Sequence, residues 1–209
     1  MSHYTVGIII PPDQLDDIHS FVDAQMAPYD ESIKVAPYVC YSLDQAQLDL
    51  EREIRHFTQI IEKQHPAYNL NRCQEALDEL LLSTPEQKYR DYVRCHAHFN
   101  SRQEPLSTYN PAGKWDWFSI GGRWNGWLHD RDPKHASVTD NLATVEHVIA
   151  RQKISFAIIT PDGVWLEQGR MGWWGAVIDG KETANWHTDA EAILRNYADH
   201  SLVLVDAHV

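Results

Sequence analysis

Two short runs of apolar, largely β-branched residues stand near opposite ends of the chain. They are Tyr4-Thr-Val-Gly-Ile-Ile-Ile10 and Ser201-Leu-Val-Leu-Val-Asp-Ala-His-Val209. Each is too continuous for a strand with one wet face and reads as a strand covered on both. The simplest placement sets them side by side in the middle of one sheet. The rest of the chain has to supply the cover.

Pro11-Pro12 ends the first run. Asp13 is placed to cap a helix whose Leu15, Ile18, Phe21 and Val22 recur at helical spacing. The stretch Ala27-Pro-Tyr-Asp-Glu31 breaks it, and Val35–Tyr41 reads as extended. Three helices follow over about 43–95. The first opens at Ser42 with capping-box spacing to Gln45 and carries Leu43, Ala46, Leu50, Ile54, Phe57 and Ile61 on one face. The second is expected to begin at Asn71, and the third has Pro85 at its first position. We read these helices as an insertion in a single domain spanning 1–209. From Asn100 to Asp140 no period persists, which marks a long structured loop with a short strand near 115–120. Ile154–Thr160, the turn Pro161-Asp-Gly163 and Val164–Glu167 form a hairpin. Thr188-Asp-Ala-Glu191 has capping-box spacing before a last helix. The expected class is α+β: a ferredoxin-like or related mixed sheet with helices on one face, a helical insertion, and a Trp/Gly-rich loop region.

Composition narrows the function. Hydrophobic residues are 43% of the 209, enough for one core. Lys and Arg number 18 against 30 Asp and Glu, a formal charge of -12, which opposes broad nucleic-acid binding. No apolar run approaches the roughly 18 residues of a membrane span. The N-terminus has no basic n-region, and three scattered cysteines make no disulfide framework, so a reducing cytoplasm is the expected compartment.

The densest segment is Tyr109-Asn-Pro-Ala-Gly-Lys-Trp-Asp-Trp-Phe-Ser-Ile-Gly-Gly-Arg-Trp-Asn-Gly-Trp127. Gly121 and Gly122 allow positive φ or close backbone approach. Their N–H groups beside Arg123 suit a phosphate or carboxylate, with Lys114 as a second cation. The Arg123 guanidinium is expected to be held by Asp116, Asp30 or Glu31, or to be directed at a pocket anion. Trp117 and Trp124 are suited to stacking on a flat ring, as are Trp173 and Trp174 in Gly169-Arg-Met-Gly-Trp-Trp-Gly175. The same residues also serve the plainer purpose of bracing long loops. Asp206 and His208, two apart on the last strand, share a face and suit an oriented base or metal ligands. Cys95-His-Ala-His98 offers zinc-type donors but has no second cluster at finger spacing, so no metal is assigned. No cofactor motif is present.

Several of these pieces together resemble a family of uncharacterised proteins associated with bacteriophages and bacterial genomes. They are Pro28-Tyr-Asp-Glu31, Lys114-Trp-Asp-Trp117 with Gly121-Gly-Arg-Trp124, Met171-Gly-Trp-Trp-Gly175 and Val205-Asp-Ala-His208. The resemblance covers nearly the whole chain outside the helical insertion. It implies no catalytic assignment. The family pattern has a Cys between the closing acid and imidazole, and this chain has Ala207, which speaks against a cysteine nucleophile there. The phage setting implies an accessory protein acting against host defence.

These readings lead to a small-molecule site for a phosphate-bearing aromatic ligand, a nucleotide or nucleotide-derived signal, handled by sequestration or hydrolysis. Asp206 and His208 are the candidate catalytic residues. Lys114, Asp116, Trp117, Gly121, Gly122, Arg123, Trp124, Trp173 and Trp174 are the candidate ligand-binding ones. A protein-binding inhibitor module and a structural accessory protein without a site are the alternatives, so a protein partner stays open beside the small ligand. No membrane or bulk nucleic acid is expected as a partner.

Overall fold

The computed structural model describes residues 2–64, 68–171, 177–178 and 180–209. Strand β1 (His3–Ile10) is followed by α1 (Ile18–Met26), β2 (Lys34–Val39), α2 (Leu43–Glu62), α3 (Leu70–Leu82) and α4 (Pro85–Arg94). Then come β3 (Leu106–Tyr109), β4 (Trp117–Ile120), β5 (Leu142–Thr144), α5 (Val145–Ala150), β6 (Ala157–Ile159) and β7 (Trp165–Glu167). The chain closes with β8 (Arg170–Met171), β9 (Val177–Ile178), α6 (Thr183–Arg195) and β10 (Ser201–His208). Contacts group these into two compact units, Met1–Lys34 with Tyr109–Val209, and Val35–Thr108.

The first unit is built on a mixed sheet in the order β4-β10-β1-β6-β7, with β5 also pairing β10. The two terminal runs are indeed neighbours at its centre. They pair antiparallel from His3↔His208 to Ile10↔Ser201. Because β1 fills one side of β10, β4 and β5 lie in tandem along the other. On its far side β1 pairs β6 in parallel, and β6 continues antiparallel into β7. Ferredoxin-like connectivity would set the second strand of that hairpin beside β1; here its first strand lies there.

The pleat sends alternate residues to two separate cores. Tyr4, Val6, Ile8 and Ile10 join Val203, Val205 and Ala207 against Val22 and Met26 of α1. Ile9, Leu202, Leu204 and Ile158 meet Val145 and Val148 of α5 and Trp186, Ala190 and Leu194 of α6. Helices therefore cover both faces, not one. The physical reason lies in the strands themselves: a continuous apolar run leaves no face that tolerates water.

Helix starts differ in detail from the sequence expectation. Asp17, not Asp13, caps α1 by accepting from Ser20 N–H, after a 3-10 turn at Pro12–Asp17. α6 opens at Thr183 after Glu182, so Thr188 lies inside it, where its hydroxyl donates to the Ala184 carbonyl at 3.0 Å.

The second unit holds α2, α3 and α4, with Ala46, Leu50, Ile60 and Cys73 buried. Ser42 caps α2, and Thr84 with Gln87 completes a capping box on α4. α3 starts at Leu70 with Asn69 as its cap, two residues before the expected Asn71. Lys88 of α4 pairs with Glu53 of α2 at 2.7 Å. Among the described residues no helix is long and apolar enough to cross a membrane.

Ile8 is fully buried on the α1 face, whereas Leu48 on α2 is 56% exposed. Ile8→Ala is expected to cost about 2–5 kcal/mol of unfolding free energy and Leu48→Ala less than about 0.5 kcal/mol. Urea denaturation of both variants checks the contrast.

Candidate functional site

The sheet face under α5 and α6 changes character along β10. From Leu202 to Leu204 it is apolar, and beyond Val205 it turns polar. Strand register sets the new surface out in two rows. His3, His208 and Trp117 stand opposite one another across β1, β10 and β4. Thr5, Asp206 and Ser119 form the row beside them. All six share a face because direct cross-strand partners do.

Asp206 is 1% exposed. Burial of a carboxylate is costly unless its oxygens find donors. One oxygen is 2.9 Å from Nδ1 of His3, and the other accepts the backbone N–H of Arg123 at 2.9 Å. His208 has its own carboxylate: its Nδ1 lies 2.5 Å from Asp116 Oδ1, while the Asp116 N–H donates to the His208 carbonyl. A carboxylate accepts only, so each imidazole donates from Nδ1 and turns Nε2 away from its carboxylate. The two rings stand edge-to-face with centroids 5.0 Å apart. Nε2 of His208 is buried and meets no hydrogen-bonding partner. Trp117, half exposed, lies edge-on to His3 at 6.2 Å. The result is a pair of histidine–carboxylate dyads with an aromatic wall.

The Gly-Gly turn serves this arrangement in an unexpected way. Gly121 and Gly122 have φ of +73° and +49°. The Gly121 N–H is spent on the Leu204 carbonyl and the Arg123 N–H on Asp206. The anion cradled here is thus the protein's own Asp206 carboxylate. A Cβ on Gly122 would come within 2.5 Å of the Asp206 Cβ.

The sequence candidates divide accordingly. Asp206, His208, Asp116, Trp117, Gly122 and the backbone of Arg123 come together. The pairing within the set differs from expectation, since Asp206 orients His3 and Asp116 orients His208. The guanidinium of Arg123 is exposed and makes no ion pair with Asp116, Asp30 or Glu31. Lys114 belongs to the opposite face: its Nζ is 2.7 Å from Glu167, which also accepts from the Trp165 indole, and its carbonyl accepts from the Tyr4 hydroxyl. Burial, helped by Glu167, pushes the Tyr4 phenol above its ordinary range and keeps it a donor. Trp124 packs against the α5/α6 core. Trp115 is buried on the α1 side and donates to the Met26 carbonyl at 3.0 Å. Trp173 and Trp174 lie outside the described residues. Among the described residues no group of three or more His, Cys, Asp or Glu is arranged to hold a metal.

His3 is the member that sequence reasoning missed. It stands 203 positions from Asp206, and only the register of β1 against β10 links them. No family model matches the chain, and neither a curated protein nor a solved structure does so.

The turn at Gly122 gives a direct test of this packing. Gly163 also has positive φ, +83°, but its Cβ position meets only Gln25 Oε1, at an ordinary contact distance of 3.6 Å. Gly163→Ala should cost only the left-handed backbone penalty of about 1–2 kcal/mol. Gly122→Ala should cost more and shift the His3 ring resonances, because Asp206 must move. Equal costs in thermal denaturation would contradict the collision.

Proposed function

We propose that the polar end of the β1–β10 face is a proton-transfer site acting on a small, phosphate-bearing aromatic ligand of the nucleotide class. One observation carries the reading: neighbouring imidazoles are each tied through Nδ1 to their own carboxylate, and the buried Nε2 of His208 lacks a hydrogen-bonding partner that a seated ligand would supply. Such a pair supports phosphoester hydrolysis without a redox partner. One Nε2 takes a proton from the attacking water as the new P–O bond forms. The other gives a proton to the leaving oxygen as the old bond breaks. Asp206 and Asp116 fix the tautomers and stabilise the imidazolium that forms in each half of the cycle.

The surroundings favour a small ligand over a polymer. Trp117 offers a half-exposed ring beside His3 for a base to stack on. The guanidinium of Arg123 is exposed and unpaired among the described residues, which leaves its planar fork available for a phosphate. The formal charge of -12 repels a long polyanion. The resemblance to phage-associated proteins supplies a setting, a cytoplasmic accessory protein acting in counter-defence against a nucleotide signal.

Product analysis over a panel of mono-, di- and cyclic nucleotides tests the activity. His3→Gln and His208→Gln are each expected to lower kcat by about 10²–10⁴-fold. Trp117→Ala should raise KM more than it lowers kcat, and a chelator should leave the rate unchanged. The rate should fall on both the acid and the alkaline side, because one ring must be neutral while the other is protonated. Turnover that survives both histidine substitutions would reject the reading. Tight binding with no turnover in the native protein would replace hydrolysis with sequestration.

A further inference from the structure

At the other end of β10 lies a second histidine pair, separate from the proposed site. β5 (Leu142–Thr144) pairs with Ser201–Val203, five to seven residues from His208, or about 17–23 Å along an extended strand. A cavity of about 310 Å³ opens there, lined by His129, Leu142, Ala143, Thr144, His147 and Ser201. His129 sits on a 3-10 turn at Trp127–His129, and His147 lies in the first turn of α5.

Both rings are fixed in the same way. Nε2 of His129 lies 2.9 Å from the Leu142 carbonyl, and Nε2 of His147 lies 3.1 Å from the Leu128 carbonyl. A carbonyl only accepts, so both Nε2 atoms carry protons, and Nδ1 is the nitrogen whose lone pair each neutral ring can offer. Neither Nδ1 has a hydrogen-bond partner among the described residues, and neither is a sealed, buried atom. A backbone carbonyl that locks the tautomer through the far ring nitrogen is the usual support of a metal-bound histidine. The ring centroids are 4.8 Å apart and tilted by 42°. Bonds of about 2.0–2.1 Å from zinc to nitrogen put two imidazoles on one tetrahedral ion with centroids roughly 5 Å apart.

We infer that His129 and His147 form a two-imidazole site for a borderline divalent cation of the zinc type, entered from the cavity beside β5 and completed by water. Two protein ligands make it an open, exchangeable site, not a structural one.

Zinc chloride titrated calorimetrically into the intact protein, together with anomalous diffraction from zinc-soaked crystals, tests the inference. We expect one ion bonded to Nδ1 of both rings. His129→Gln and His147→Gln should each weaken binding by more than the roughly tenfold loss typical of an outer partner. His3→Gln should leave this binding unchanged, since the rival imidazole pair is there. An anomalous peak at His3 and His208 with none here would overturn the inference. So would binding that survives both Gln variants, or a crystal peak with no measurable binding in solution. If either Gln variant fails to fold, the position of the ion in the native protein still decides.

Discussion

The antiparallel ladder between β1 and β10 is the constraint on which the rest of the first unit depends. It joins the two ends of the sequence in one register, His3↔His208 through Ile10↔Ser201. Each strand is apolar on both sides over most of its length, so the ladder stands only when both faces are covered. α1 supplies one cover, and α5 with α6 supply the other. The same register decides what happens where cover ends. It brings His3 beside His208 and Thr5 beside Asp206, and a one-residue slip would send these side chains to the α1 core.

Asp206 converts that register into a site. A carboxylate so buried is tolerated because both oxygens are met, one by an imidazole and one by a backbone N–H from the loop after β4. Removing either donor would leave a buried charge short of a partner. The loop can come this close only because residue 122 lacks a Cβ and adopts positive φ. Trp117 and Asp116 are carried by the adjoining strand and its approach, so the Lys-Trp-Asp-Trp and Gly-Gly-Arg segments converge on the C-terminal acid and imidazole.

Much of the frame was legible in the residues. The terminal runs announced central strands, Ser42 and Pro85 announced helix starts, and the two-residue spacing of Asp206 and His208 announced a shared face. The continuous runs also carried a demand for two-sided cover, which is incompatible with helices on one face, and the structure satisfies the demand. What was hidden was long-range. His3 has no local pattern, and its partner lies at the other end of the chain. Lys114 and Arg123 look equivalent in sequence, yet the first is drawn to Glu167 across the sheet and the second gives only its backbone to Asp206. The Gly-Gly turn looked like a cradle for an external anion because sequence cannot show that an internal carboxylate reaches it first. Asn71 is read as a helix start and Thr188 as a cap because local hydrogen-bonding residues recur within a few positions of the true helix starts.

The central claim is that this ladder holds two imidazoles in fixed tautomers, with both Nε2 atoms left for proton transfer. Long-range ¹H–¹⁵N correlation spectra of the native protein at neutral pH read the tautomers directly. The account predicts that His3 and His208 both show the Nδ1–H form, with through-space contacts between their rings. Neutral rings protonated on Nε2 with a bare Nδ1, or rings that average freely between tautomers without mutual contacts, would contradict it.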